Sequence, residues 1–258
     1  MIAYFVKNKA LCTGIYAIFI GTYKGGGEVD HTLVSPNISS LFKQYGSLIK
    51  LEKDRQVFSE GELSQEVFLI MSGSIAINKD TEAGKLLTLR IVGPENCIGE
   101  SCVFADNNHH SFSALTLEST QLFMLQKNKL ENFLVNSTEL MVEWTKYIQL
   151  IYSKNQTRFR DLMLYGKKGA LYSTLIRLSN TYGEALPDGK IKINFSLTNQ
   201  EIANLCAMSR EVVNRMLNDM KNEGLISFHK GIITVHDLEL LRRENQCESC
   251  PLCVCRID

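Results

Sequence analysis

The sequence carries no net charge, because its 28 lysines and arginines are matched by 28 aspartates and glutamates. A chain-wide basic field for holding nucleic acid is therefore excluded, although a small reading module needs only a local basic face. An apolar run long enough to cross a bilayer is also lacking. The nearest candidate, Ala10 to Ile20, follows Lys7 and Lys9 and imitates a signal peptide's charged region and apolar core. It is too short to span, and no A-x-A-like cleavage site follows it, only Gly25-Gly26-Gly27. The cysteine pattern of a small secreted domain is missing too. The eight cysteines are diluted in 258 residues and bunched at one end, which reads as metal or redox chemistry in a reducing cytoplasm. We read residues 1–36 as an extension upstream of the fold, with Val29, Leu33 or Val34 as alternative starts.

What is present is concentrated in the tail, Cys247-Glu248-Ser249-Cys250-Pro251-Leu252-Cys253-Val254-Cys255. Soft thiolates at this density suit an iron–sulfur cluster, zinc or copper(I). Cys247 and Cys250 form a C-x-x-C, which lets one turn present two sulfurs to one site, and Pro251 stiffens that turn. A thiol–disulfide switch using the same pair is a further reading. No βαβ pattern surrounds the pair, which argues against a thioredoxin-like enzyme.

Upstream, the pattern is short, alternating and glycine-punctuated from about Ser39 to Leu125. Val67 to Met71 runs into Ser72-Gly73, Ile75 and Ile77 alternate, Leu86 to Val92 runs into Gly93-Pro94, and Leu122 to Leu125 follows. This spacing predicts an antiparallel barrel or roll. From about Thr138 the period changes. Met141, Trp144, Ile148 and Ile151 are spaced three, four and three, with Asn155 and Leu162 continuing the row. Proline and glycine are absent as far as about Tyr165. We read a long helix whose seam pairs with a second copy, against packing on its own barrel. Gly166-Lys167-Lys168-Gly169 should break it. A helical stretch, Ala170 to Leu178, a loop from Gly183 to Gly189 and a strand, Ile191 to Leu197, come next.

Thr198 and Glu201 form a capping box that opens a helix. After a break at Cys206-Ala207-Met208, Ser209 caps a second helix from Arg210 to about Asn222. Ile202, Leu205, Val212, Val213 and Leu217 supply the contacts between two crossed helices. This predicts a helix-turn-helix whose second helix enters the major groove, with a winged hairpin over Leu225 to Val235. Arg210, Glu211, Asn214 and Arg215 face outward. Arginine can donate twice to guanine, and glutamate can accept from cytosine. Cys97, Cys102 and Cys206 read as buried small hydrophobes. His109 and His110 read as loop residues, and Trp144 as a seam or core residue.

The order of roll, long helix and winged helix-turn-helix with Ser209-Arg210-Glu211-Val212-Val213-Asn214-Arg215 resembles the CRP/FNR family of bacterial transcription regulators, from about Asn37 to Val235. The resemblance implies an α+β fold. Residues 37–136 would be a cyclic-nucleotide-binding-like roll, 137–166 the dimerisation helix, 167–236 the DNA-binding domain and 237–258 a C-terminal extension. It implies a homodimer without enzymatic activity that binds a TGTGA-type inverted repeat and contacts RNA polymerase. Ile98-Gly99-Glu100 resembles the family's effector motif, but His110-Ser111 stands where cyclic-AMP receptors carry arginine-serine. Without the bidentate arginine, control by a cyclic nucleotide is not expected.

The tail resembles that of the oxygen-sensing Fnr regulators of Bacillus-type bacteria. This resemblance implies a [4Fe–4S] cluster on Cys247, Cys250 and Cys255, spaced C-x2-C-x4-C. It also implies a fourth ligand from Asp161, in the stretch Arg160-Asp161-Leu162 that leads into Gly166-Lys167-Lys168-Gly169-Ala170-Leu171-Tyr172. Cys253 departs from the pattern and competes with Asp161 for that place; we favour Asp161, because Cys253 and Cys255 are too close in sequence to serve separate irons readily. A structural zinc is the alternative occupant. The implied function is an oxygen-responsive regulator, mainly an activator, of anaerobic and particularly nitrate-respiration genes.

Overall fold

The computed structural model describes residues 34–81, 84–106, 109–229, 231–247 and 250–258. The expectations placed on Ala10 to Ile20, Cys12, Val29 and Leu33 lie outside the described residues. The proposed boundary at residue 36 falls late. Val34 is already buried, its amide donates to the Glu95 carbonyl, and the Ser35 hydroxyl donates to Glu143 at 2.6 Å. A helix that the strand pattern did not predict, α1 (Pro36–Tyr45), follows at once. Its Ser35 cap and first-position proline are both standard start signals.

The roll is built from two four-stranded antiparallel sheets. One has the order β1 (Ser47–Leu51), β8 (Thr120–Gln126), β3 (Glu66–Ser72) and β6 (Cys97–Ile98). The other runs β2 (Gln56–Phe58), β7 (Ser113–Thr116), β4 (Ile75–Asp80) and β5 (Leu86–Val92). Phe68, Ile70, Ile75, Ile77, Ile98 and Leu122 fill the space between them. β3 is buried on both faces, with Phe68 and Ile70 turned to the other sheet and Val67 and Leu69 to a second apolar cluster.

A short helix, α2 (Lys127–Val135), leads to the long helix α3 (Thr138–Leu164), capped by Ser137. The expected seam is corrected here. Trp144, Tyr147 and Ile151 are buried in one cluster with Leu69, Cys97 and Leu130 of the roll, and Met141 and Ile148 pack on it. The Tyr147 hydroxyl donates to the Cys97 carbonyl at 3.0 Å and accepts from its amide at 2.8 Å. Leu162 packs against the next domain's core, and Asn155 is exposed. The row predicted to face a second copy therefore faces this chain's own core. A separate stripe of Val142, Tyr152, Phe159 and Met163 is left outward at heptad-compatible spacing, with Phe159 62% and Met163 67% exposed.

The helix breaks where expected, but for a single residue. Tyr165 leaves helical geometry, Gly166 takes φ +59°, and α4 (Gly166–Tyr182) resumes immediately. Gly183 to Gly189 is not wholly a loop, because Gly183–Ala185 forms β9, the edge partner of β10 (Ile191–Ile193). The helix-turn-helix is α5 (Asn199–Leu205) and α6 (Arg210–Asn222), with both arms of the Thr198–Glu201 capping box formed. Ala207 at φ +53° makes the turn. The wing is β11 (Ile226–His229) and β12 (Ile232–Val235), and α7 (Leu238–Glu244) leads into the tail. Among the described residues, no helix is long and apolar enough to cross a membrane.

Candidate DNA-reading face and cysteine centre

Helix α6 buries Val213, Leu217 and Met220 in the domain core. The opposite face is left to Arg210, Glu211, Asn214 and Arg215, all exposed as the sequence predicted. Ser209 caps the helix by accepting from the Val212 amide. Asn199 Nδ2 donates to Asn214 Oδ1 at 2.8 Å, fixing the two helices against each other at the reading surface. Hydrogen bonds from its own amide and from Ser209 hold the Glu211 carboxyl below its usual value. Glu211 is therefore an anion and an acceptor at neutral pH.

The second site lies where α3 ends. Asp161 is 4% exposed and Arg177, on α4, is 1% exposed. A buried guanidinium must find acceptors for its whole donor fork. Arg177 Nη2 donates to Asp161 Oδ2 at 3.0 Å and to Thr157 Oγ1, and its Nε donates to Ser173 Oγ. Ser173 Oγ in turn donates to Asp161 Oδ2 at 2.7 Å. Oδ1 faces Arg160, whose Nη2 lies 2.9 Å from Oδ1 and 3.8 Å from Cys250 Sγ. One nitrogen thus touches both the Asp161 carboxylate and the Cys250 sulfur. This pair outweighs burial and raises the Arg160 pKa.

The tail reaches this pair because Gly169 has no side chain. A Cβ there would lie 2.0 Å from Tyr165 Cβ and 3.0 Å from Asn245 Oδ1. Asn245 Nδ2 in turn lies 3.8 Å from Cys247 Sγ. Cys247 and Cys255 pack against the reader's apolar core. Burial raises both thiols; nearby Asp161 and Cys250 add to this at Cys247, while Arg177 opposes it at Cys255, where Cys250, Cys247 and Asp161 also add to it. The three cysteines of the C-x2-C-x4-C spacing and Asp161 therefore share one electrostatic neighbourhood.

The residues fit an anionic cluster of four ligands. Three thiolates and a carboxylate would bring excess negative charge, and two guanidiniums already stand beside them. Among the described residues, no three or more His, Cys, Asp or Glu side chains are gathered closely enough to hold one metal ion.

Sequence reasoning missed Arg177, Ser173, Asn245 and the role of Arg160. Arg177 had a signal, since a lone charge inside the apolar run Ala170 to Leu178 needs a buried partner.

Between the roll, α3 and α5, a cavity of about 560 Å³ is lined by Phe58, Glu100, His110, Ser111 and Arg158 among others. Glu100 is committed to an ion pair with Arg90. His110 is not a plain loop residue. It is buried, stacks on Phe58 with ring centroids 3.8 Å apart, and has its pKa lowered by burial. Cys97, Cys102 and Cys206 are buried, as expected.

Comparison with known proteins agrees with this anatomy. Residues 48–137 match the model of the cyclic nucleotide-binding domain, and 169–244 match the Crp-like helix-turn-helix domain. The "Anaerobic regulatory protein" of Bacillus subtilis (strain 168) is 44% identical over 230 residues, covering 89% of this chain and 96% of the relative. A "CRP-like cAMP-activated global transcriptional regulator" of Mycobacterium tuberculosis is 26% identical over 206 residues, covering 80% and 91%. Among solved structures, the c-di-GMP responsive regulator CLP of Xanthomonas campestris superposes with a TM-score of 0.67 at 19% identity, covering 79% of this chain and all of the other. That likeness speaks to fold alone.

Proposed function

From the premise that the chain belongs to the CRP/FNR family of DNA-binding transcription regulators, we propose that it is an oxygen-responsive member controlled by a [4Fe–4S] cluster in its tail. Cys247, Cys250 and Cys255 would hold the cluster with Asp161 as fourth ligand. The observation that carries the reading is Arg160 Nη2, which bridges Asp161 Oδ1 and Cys250 Sγ at 2.9 and 3.8 Å. When bound, the cluster supplies iron–ligand bonds that oxygen can break, the carboxylate bond being the most labile. Cys247 and Cys255 hold the tail to the reader's core, Asp161 holds it to the end of α3, and Arg160 and Arg177 offset the ligands' charge.

Ligation orders a segment that is looser without it. Because that segment lies between α3 and the reader, its order would set the angle of α6 to the long helix. The outward stripe of Val142, Tyr152, Phe159 and Met163 is the surface we assign to the homodimer. Two α6 helices then meet half-sites about one helical turn apart, with Arg210, Glu211 and Arg215 reading a TGTGA-type inverted repeat and Asn214 positioned by Asn199. The targets are anaerobic respiration genes, and RNA polymerase is the partner of an activator. The name of the Bacillus relative supports the anaerobic setting. The loss of arginine at His110 and the Arg90 pairing of Glu100 support a roll that does not answer to cyclic nucleotide.

The test is protein purified without oxygen, with absorption, iron and sulfide measured together. Brown protein holding about four irons per chain that bleaches in air supports the reading. Colourless protein retaining zinc overturns it in favour of a structural metal, and metal-free protein overturns it in favour of a thiol switch.

A further inference from the structure

The three residues after Cys255 leave the reader and reach the roll. In the second sheet β5 is the outermost strand, so part of its backbone has no strand partner. The Ile91 amide on this edge donates to the Ile257 carbonyl at 3.3 Å. Both isoleucines are buried, and both belong to the apolar cluster of the reader rather than to that of the roll. The Ile257 amide donates to Thr181 Oγ1 on α4 at 3.0 Å. Arg256 Nη1 donates to the Asn180 carbonyl at 3.1 Å, and its Nε to Asp258 Oδ1 at 3.0 Å. Asp258 is buried on α3, where Lys154 Nζ donates to its backbone oxygen at 2.6 Å and to Oδ1 at 3.2 Å. Three consecutive residues therefore join α4, α3 and the edge of β5.

This segment is continuous with the cysteine centre. Arg177 Nη1 donates to the carbonyls of Val254 and Arg256, at 3.2 and 3.3 Å, bracketing Cys255. The same guanidinium binds Asp161 through Nη2. Displacing Cys255 would disturb the two carbonyls on either side of it, and Ile257, two residues beyond it, is the one that caps β5.

We propose that residues 256–258 are a strap docked on the open edge of the roll's second sheet, and that ligation of Cys255 sets how firmly this strap ties the reader to the roll. The transmission rests on the reading of Cys255 as a cluster ligand; the docking does not. A strap of this kind would give oxygen a route to the relative placement of roll and reader, in addition to its effect on the reader alone. The Arg158 guanidinium, which donates to the Thr88 carbonyl on β5 and the Leu205 carbonyl on α5, is a second tie that stays in place whatever the tail does.

The experiment uses the full chain with Ile257→Asp, which sets a charge in the apolar contact, and Lys154→Met, which removes the other leg. Hydrogen exchange is followed in iron-free protein. The Ile91 amide should exchange at least about tenfold faster in both variants, while the β4 amides keep the parent's rates. In protein prepared without oxygen, both variants should hold the parent's iron content, yet the fall in operator affinity on exposure to air should shrink severalfold. Unchanged exchange at Ile91 overturns the docking. Faster exchange with full iron and an undiminished air response overturns the transmission. If the parent itself binds no iron, the cluster reading fails, while the exchange comparison still decides the docking.

Discussion

Replacing Asp161 by alanine should destabilise the protein even when no iron is present. Asp161 and Arg177 are 6% and 1% exposed at their side chains, and their contact is 3.0 Å. Removing the carboxylate leaves a fully buried guanidinium with only neutral acceptors, Ser173, Thr157 and the carbonyls of Val254 and Arg256. Removing one partner of such a buried pair costs about 3–5 kcal/mol, because the remaining charge keeps its desolvation penalty. Arg160 dilutes this little, since at 26% exposure it can turn its freed donors to water. With a urea dependence of about 1–3 kcal/mol per molar, the unfolding midpoint of iron-free protein should fall by at least about 1 M. Asp161→Asn should cost less than alanine, because its oxygen can still accept from Arg177, although the buried charge loses its counter-charge and the partly exposed Arg160 must turn its donors to water. If Asp161 is the fourth ligand, as proposed, both variants should lose iron or hold it less stably in air. The pair thus separates packing from ligation, which alanine alone cannot do. Equal midpoints for parent and Asp161→Ala would refute the electrostatic reasoning. An asparagine variant with the parent's iron content and air stability would refute the ligand assignment and return Cys253 to that place.

Arg210→Ala should weaken binding to a TGTGA-type repeat by about 1–3 kcal/mol and relax discrimination at the contacted base, as gel-shift titration against single-base variants would show. Phe159→Glu places a charge in the outward stripe of α3 and should shift the protein from dimer to monomer in analytical ultracentrifugation, whereas Trp144→Ala, on the inward face, should lower the unfolding midpoint without that shift. Gly169→Ala should destabilise by about 1–3 kcal/mol, although alanine suits a helix better than glycine, because its methyl meets Tyr165 and Asn245. Burial holds the His110 pKa below 6.5, so the unfolded chain binds the proton first. Stability present above pH 6.5 should be lost as pH falls from there through the folded value, and His110→Gln should remove that slope in acid denaturation.

Much of this molecule was legible in one dimension because its signals are local. The Thr198–Glu201 box formed as written, since a hydroxyl and a carboxylate three residues apart meet only at a helix start. The outward Arg210, Glu211, Asn214 and Arg215 followed from the apolar row at Val213 and Leu217, which leaves a helix only one other face. The seam of α3 could not be read this way. That helix carries two apolar stripes, and a three-four period says that a face is covered without saying by what. Trp144, Tyr147 and Ile151 met the roll because β3, β6 and α2 present an apolar face to them. The stripe through Tyr152 and Phe159 was left for another surface.

The sequence by itself determined the order of the domains, the reading helix and the candidate thiolates, because periodicity and capping act within a turn or two of chain. Only the tertiary structure decided that Arg160, paired with Asp161, reaches Cys250, that Arg177 holds the two carbonyls around Cys255, and that Ile257 caps β5. Those contacts join residues from about 77 to more than 160 positions apart, the span of Arg177 to Val254 and of Ile91 to Ile257. They exist because a buried guanidinium and an open strand edge must both find partners once water is excluded.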